Sequence, residues 1–153
     1  MTKSFEVIGS VFDKPGRDGD FSLMSRQAEH EKTLFIFNDN EEQFRAFVRG
    51  ERFGIEAGGG NAAIRPLRGL KPPRAAGVPT GSQGKGYVRL DDSTKKVINE
   101  SLAVIQELLN TGRYERMIFS KDKFSPTLGT GLFLVAEDVK KYIYDALMSM
   151  MPS

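Results

Sequence analysis

Short apolar runs, each bounded by glycine, proline, aspartate or asparagine, divide this chain into alternating strands and helices. The clearest run covers residues 33–37 and ends in a polar turn at 38–40. A strand that is apolar on both faces is typical of the centre of a parallel sheet covered on both sides. Further strands are predicted at residues 4–12, with a bulge at Gly9, and at 117–119.

Helical periodicity dominates the last third of the chain. Residues 93–111 place apolar side chains at spacings of three and four, with N-cap candidates at Asp91, Asp92 and Ser93 and with Gly112 after the end. A last helix is predicted at residues 136–150. A shorter helix, predicted at residues 41–49, groups three apolar side chains on one face: Phe44, Phe47 and Val48.

Strand, glycine-rich loop and helix alternate along the sequence, which predicts an α/β protein. We expect a three-layer α/β/α arrangement with a central mixed sheet, in one domain spanning residues 1–153. Prolines and glycines interrupt residues 66–86 so often that no regular element is predicted there. Irregular loops of that length in a compact domain are usually functional or disordered.

Composition narrows the possible classes of protein. The 22 basic and 20 acidic residues leave a net charge of +2, which argues against a general nucleic-acid binder. Without cysteine the chain forms no disulfide, thiol nucleophile or cysteine-ligated zinc site. We find no signal-peptide pattern and no apolar run near the roughly 20 residues that span a bilayer. We therefore predict a cytoplasmic protein with no membrane partner, metal or cofactor.

Three glycine loops are the most informative feature of the sequence. The first glycine loop covers residues 58–65, the second 77–86 and the third 128–133. Because glycine has no Cβ, backbone amides in such loops can approach a ligand closely and direct several N–H groups at one anion. The loops therefore predict a phosphate-bearing small molecule such as a nucleotide. The alternative is that these glycines serve only tight turns and close packing.

The positions of the loops favour the ligand hypothesis. In α/β sheets, ligands bind beyond the carboxyl ends of the strands, and the third glycine loop follows the strand at 117–119. The first precedes a short helix predicted to begin near Asn61, and helix N-termini favour phosphate. We therefore expect a pyrophosphate between the first and third glycine loops. The chain contains neither a P-loop motif nor a dinucleotide-binding fingerprint.

From Gly58 onward, the order of these motifs resembles that of the macrodomain family, the ADP-ribose-binding α/β/α proteins. The segments that carry the resemblance are Gly58-Gly59-Gly60-Asn61-Ala62-Ala63-Ile64, Gly77-Val78-Pro79-Thr80-Gly81, Gly86-Tyr87 and Leu128-Gly129-Thr130-Gly131-Leu132-Phe133. A long helix and a buried strand lie between the last two, in the family's order. The resemblance implies that this protein binds ADP-ribose or a related nucleotide, with hydrolysis of an ADP-ribosyl linkage or phosphoester as a possible activity.

The resemblance also implies roles for individual residues. The expected ligand contacts are Gly58, Gly59, Gly60, Asn61, Arg65, Gly129, Thr130, Gly131, Leu132 and Phe133. The catalytic candidates are Asn38, Asp39 and Asn40: one asparagine would contact the distal ribose and Asp39 would orient a water. Two alternatives stay open, namely that Asn40 caps the following helix and that Asn61 caps a helix without binding ribose.

A second function, of a different class, depends on four basic residues that recur at every third position from residue 65. Prolines argue against a helix here, so the four side chains would form an extended basic strip or a solvated loop. In this hypothesis residues 65–74 of a non-enzymatic interaction module contact nucleic acid or an acidic partner. The four residues are Arg65, Arg68, Lys71 and Arg74.

Overall fold

The structure is a computed structural model that describes residues 4–131 and 133–153. The strands are β1 (Glu6–Ser10), β2 (Thr33–Asp39), β3 (Ala75–Pro79), β4 (Gly81–Ser82), β5 (Lys85–Gly86) and β6 (Arg116–Ser120). The α-helices are α1 (Phe21–Met24), α2 (Glu41–Val48), α3 (Asp92–Leu109) and α4 (Glu137–Met148). Three 3₁₀ segments complete the described elements: Ala28–His30, Arg52–Ile55 and Gly60–Gly69.

The main sheet has four strands in the order β1-β6-β2-β3, and each neighbouring pair is parallel. The prediction of an α/β protein is therefore confirmed, but the expected mixed sheet is corrected to a parallel one. Antiparallel pairing between named strands of the described residues is confined to the hairpin of β4 and β5. A parallel sheet needs long crossover connections, which the helices of this chain supply.

The two faces of the sheet carry separate apolar cores. Leu34 and Ile36 of β2 pack with α3 and α4 on one face. Phe35 and Phe37 pack with α1 and the 3₁₀ segment Gly60–Gly69 on the other. Successive strand residues point to opposite faces, so the continuous apolar run of β2 fills both cores at once. No helix in the described part of the chain is long and apolar enough to cross a membrane.

The predicted helices at residues 41–49, 93–111 and 136–150 are confirmed, with one adjustment. Asp91 caps α3 by accepting a hydrogen bond from the Thr94 N–H at 2.9 Å, as expected. Val48, expected on the inner face of α2, is 61% exposed. The buried face of α2 instead includes Gln43 and Ala46, so the buried positions lie one residue earlier along the helix than predicted.

The prediction that residues 66–86 contain no regular element is wrong. This stretch includes the end of the 3₁₀ segment, the whole of β3, and the β4–β5 hairpin. β3 resembles a loop in sequence because its packing demands small residues. A Cβ on Gly77 would lie 2.8 Å from both Asp39 Oδ2 and Phe37 Cε2. Apart from Val78, the strand therefore lacks the branched and aromatic residues by which strands are usually recognised.

Candidate ligand site at the carboxyl edge of the sheet

The connections that leave the sheet diverge around β6. β6 leads to α4 on one face, whereas β1 leads to α1 on the other face. β2, the other neighbour of β6, leads through α2 to the 3₁₀ segment Gly60–Gly69, which also lies on that other face. In parallel sheets a crevice opens where neighbouring connections take opposite faces, and ligands bind there. Ser120 ends β6, and such a crevice is expected there both between β6 and β1 and between β6 and β2.

The first glycine loop reaches this point through Asn61. Its Nδ2 donates to Ser120 Oγ and to the Gly19 carbonyl, both at 3.0 Å, and its Oδ1 accepts from the Phe21 N–H at 2.8 Å. Asn61 does not cap the 3₁₀ segment that it belongs to, because Gly59 holds that N-cap position; it instead satisfies the first N–H of α1. Asn61 thereby fixes the first glycine loop against the end of β6 and the start of α1.

The third glycine loop reaches the same point from the opposite face. The Gly129 N–H donates to the Ser120 carbonyl at 2.9 Å, and Asn38 Nδ2 donates to the Gly129 carbonyl at 2.7 Å. Asn38 lies on the face of β2 that packs with α3 and α4, opposite to its neighbour Asp39. The first and third glycine loops therefore meet at Ser120, at the edge of the sheet.

Both loops carry N–H groups that are free to bind a ligand. Among the described residues, no hydrogen-bond acceptor is found for the backbone N–H of Gly59, Gly60, Thr130 or Gly131. Thr130 Oγ1 donates to the Phe133 carbonyl at 3.1 Å, which closes the turn. Leu132, an expected ligand contact, lies outside the described residues.

Two buried hydroxyls at this edge also lack a partner. Ser10 Oγ and Thr127 Oγ1 are enclosed, yet neither makes a hydrogen bond to a described residue. Ser10 pairs in register with Ser120, and Thr127 belongs to the connection that contains the third glycine loop. A buried polar atom without a partner is costly, so these hydroxyls mark unused hydrogen-bonding capacity beside the crevice.

Asp39 lies in a buried ion cluster, the Asp39 cluster, formed by Asp39, Arg65 and Arg68. Arg65 Nε donates to Asp39 Oδ1 at 3.1 Å, and Arg68 Nη1 donates to Asp39 Oδ2 at 2.6 Å. The Asp39 side chain is 0% exposed and the two arginines 4% and 2%. Both guanidinium groups also lie over the Phe37 ring, 5.4 and 5.2 Å from its centroid. The role of orienting a water, expected for Asp39, has no support from this placement.

The basic strip expected at residues 65–74 does not form. A 3₁₀ segment accommodates Pro66, and with three residues per turn it places Arg65 and Arg68 on the same face, toward Asp39. Arg74 donates instead to the carbonyls of Ser25 and His30, at 3.0 and 2.9 Å. Of the four residues, Lys71 is exposed. The alternative function of an interaction module therefore loses the surface on which it depended.

Asn40 is the N-cap of α2. Its Oδ1 accepts from the Gln43 N–H at 2.8 Å, and its Nδ2 donates to Gln43 Oε1 at 2.6 Å. The capping alternative for Asn40 is thereby confirmed. Of the three catalytic candidates, Asn38 contacts the third glycine loop, and Asp39 contacts the first only through Arg65 at the end of that loop.

The second glycine loop is tied to the start of α2, a contact that the sequence did not reveal. Glu42 accepts hydrogen bonds from Ser82 Oγ and the Gln83 N–H, and Glu41 accepts one from Tyr87 Oη at 2.9 Å. Burial, followed by the bond to Glu41, raises the pKa of Tyr87 far above its ordinary value. Tyr87 therefore stays protonated and acts as a fixed donor.

Two pockets lie away from the carboxyl edge of the sheet. A depression of about 280 Å³ at the opposite edge of the sheet is lined by Ser4, Glu6, Glu115 and Arg116. A smaller cavity of about 50 Å³ separates α2, α3 and β3. Neither is lined by the first or third glycine loop. Within the described ranges, no three histidine, aspartate or glutamate side chains form a group that could hold a metal ion.

Replacing Asn61 tests whether it holds the loop. We expect Asn61→Ala to lower the free energy of unfolding by about 2–3 kcal/mol, because it leaves the Phe21 N–H and the Gly19 carbonyl without their partner. Chemical denaturation measures this value. As a control, Asn99→Ala removes an asparagine that bonds Tyr142 at the surface and should change stability by less than about 0.5 kcal/mol. Equal effects of the two variants would contradict the assigned role.

Comparison with models of known protein families, with curated protein sequences and with solved structures found no match to this chain. The case for a function therefore depends on the geometry of the carboxyl edge.

Proposed function

We propose that this protein binds ADP-ribose or a related nucleotide at the carboxyl end of β6, with the pyrophosphate between the first and third glycine loops. One observation carries the proposal: both loops are hydrogen-bonded to the same residue, Ser120, from opposite faces of the sheet. Asn61 Nδ2 bonds the Ser120 hydroxyl and the Gly129 N–H bonds the Ser120 carbonyl.

The chemistry of the crevice supports an anionic ligand. Unpartnered N–H groups lie in each loop, and the first loop opens the 3₁₀ segment Gly60–Gly69. Several N–H groups directed at one group favour an anion over a neutral ligand. At the end of the third loop, Phe133 is 63% exposed and offers an aromatic face to a ribose or a base. The resemblance of the motif order to macrodomains favours ADP-ribose among nucleotides.

Hydrolysis is a narrower proposal than binding. Asp39 is enclosed by two arginines and Asn40 caps α2, so neither is available to place a water. A hydrolytic water would have to be held by Asn38 or by the phosphate of the ligand itself. Binding without turnover is therefore the function that the site supports best.

Adding bulk at Gly59 tests the site without straining the backbone. Gly59 is extended, with a φ of −83°, and a Cβ there would meet no atom within 4 Å. We expect Gly59→Leu to keep the stability of the native protein and to weaken ADP-ribose binding by at least about tenfold, because the side chain occupies the crevice. Isothermal titration calorimetry measures the affinity.

The matched control is Ala103→Leu, which adds a leucine to an exposed position of α3. It should bind ADP-ribose as the native chain does. Equal affinities of Gly59→Leu and the native protein would place the ligand elsewhere. Absence of binding by the native protein at millimolar ADP-ribose would reject the proposed function itself.

A further inference from the structure

The Asp39 cluster contains more positive than negative charge. Two guanidinium groups share one carboxylate, and in the described part of the chain neither arginine forms an ion pair with another acidic residue. Burial lowers the pKa of the Arg68 guanidinium, Asp39 opposes that shift, and the nearby Arg65 adds to it. Arginine keeps its proton even so, because a guanidinium group is not deprotonated in proteins. The interior of the protein therefore holds an excess of one positive charge beneath the carboxyl edge.

The excess charge lies directly under the first glycine loop. Arg65 Nη1 donates to the Glu56 carbonyl at 3.1 Å, and a Cβ on Gly58 would lie 2.7 Å from the same Nη1. Gly58 thus packs on the guanidinium group. The remaining nitrogen of that group, Nη2, makes no hydrogen bond to any described residue and is not fully enclosed, although the side chain as a whole is only 4% exposed. A guanidinium nitrogen left open in this way can donate to an anionic oxygen.

Arg68 differs from Arg65 because every nitrogen of its guanidinium group donates a hydrogen bond. Arg68 donates to Asp39, to the Gly54 carbonyl at 2.6 Å and to the Gln43 carbonyl at 3.0 Å, so each of its terminal nitrogens is bonded. Arg68 therefore neutralises Asp39 and holds the surrounding backbone together. Arg65 shares the single carboxylate of Asp39 with Arg68, and Arg65 is the one of the two that keeps an unused donor.

We propose that Arg65 makes the first glycine loop an anion subsite specific for a diphosphate group, acting from below the loop together with the open N–H groups of Gly59 and Gly60. This inference deepens the proposed nucleotide function and names the part of the ligand that the first loop holds. A charge in a region of low dielectric constant attracts a nearby anion more strongly than the same charge in bulk water does. Its geometry is set before the ligand arrives, because Asp39 and Glu56 fix the guanidinium.

A purely structural role for Arg65 predicts a different behaviour. In that case removal of Arg65 would loosen the loop, and any neighbouring substitution that lowers stability to the same extent would weaken binding equally. If the charge itself binds the anion, its removal changes the salt dependence of affinity, whereas a neutral substitution does not. The two roles are separable by experiment.

The experiment uses Arg65→Met, Arg65→Lys and Ile64→Val in the full chain, with inorganic pyrophosphate and ADP-ribose as separate probes in calorimetry at several salt concentrations. Arg65→Met leaves Asp39 paired with Arg68, so the cluster becomes neutral and we expect the chain to fold. Ile64→Val removes one methyl group from the neighbouring buried side chain, which is 3% exposed, and serves as the control for lost stability.

We expect Arg65→Met to bind pyrophosphate at least about tenfold more weakly than the native protein, with a flatter dependence on salt. Arg65→Lys should recover most of the affinity and Ile64→Val should keep all of it. Equal behaviour of Arg65→Met and Ile64→Val would overturn the inference, as would failure of the native protein to bind pyrophosphate at about 10 mM. Binding of pyrophosphate but not of ADP-ribose would reject the nucleotide function and leave the anion subsite standing.

Discussion

Asp39→Ala is expected to lower the free energy of unfolding by about 3–5 kcal/mol, the largest effect of any single side-chain truncation considered for this chain. The substitution leaves the guanidinium groups of Arg65 and Arg68 buried without their carboxylate, since the Asp39 side chain is 0% exposed. Removal of one partner from a buried ion cluster costs more than the cluster contributes when intact. Denaturation by urea, followed by circular dichroism, measures the loss.

Two further variants test whether the lost stability comes from the Asp39 cluster. Glu51→Ala breaks the exposed pair of Glu51 with Arg49 and should leave the denaturation midpoint unchanged. In the double variant Asp39→Ala with Arg65→Met, one of the two stranded cations is gone, so part of the lost stability should return. If Asp39→Ala were no more harmful than Glu51→Ala, the cluster would not be the buried unit described above.

Gly54→Ala is expected to lower the free energy of unfolding by about 2–4 kcal/mol, the second largest effect. A Cβ on Gly54 would lie 2.3 Å from the Phe47 nitrogen and 2.4 Å from its Cα, so the 3₁₀ segment Arg52–Ile55 must move away from α2. That movement also displaces the Gly54 carbonyl, which accepts a hydrogen bond from Arg68 Nε at 2.6 Å. Thermal and chemical denaturation should both detect the change.

The same substitution at Gly59 is the matched control. Gly59 is extended and a Cβ there has open space on all sides, so Gly59→Ala should change stability by less than about 0.5 kcal/mol. Similar losses for Gly54→Ala and Gly59→Ala would show that contact with α2 is not what requires glycine at position 54.

Gly54 and Gly59 show which roles of glycine could be predicted from the sequence and which could not. The run Gly58-Gly59-Gly60 attracted the ligand hypothesis because it is conspicuous, and Gly54 did not because it stands alone. Close approach between the backbones of two packed elements leaves no local pattern in the sequence. For that reason the positions where a side chain cannot fit were not predicted, whereas the loops themselves were.

The elements with strong periodicity were predicted well and those built from small residues were not. β2, α3 and α4 follow from apolar spacing, and their bounds shift by a few residues only. β3 was missed because its residues are small and fit against Asp39 and Phe37. The choice between parallel and mixed pairing depends on the order of strands, which no local pattern encodes.

The meeting of the first and third glycine loops at the carboxyl edge was predicted, and the contacts of the charged residues near it were not. The carboxyl edge and the first and third glycine loops follow from the alternation of strand, loop and helix. The burial of Arg65 and Arg68 does not, because their three-residue spacing fits either a solvated strip or one face of a 3₁₀ segment. Pro66 favoured the solvated strip, because proline disrupts an α-helix. The structure has a 3₁₀ segment instead, which contains Pro66 and places both arginines on one face.

The position of β6 in the sheet has a consequence for how the chain folds. β6 is the last strand along the sequence, yet it lies between β1 and β2, and Glu6 of β1 pairs in register with Arg116. During synthesis β2 and β3 can meet early, whereas β1 gains its neighbour only after most of the chain has been made. Contacts so distant in sequence close a long loop before they are stabilised, which slows folding. Until then the first strand offers an open edge for pairing with another molecule, so rapid capture of β6 protects the newly made chain from aggregation.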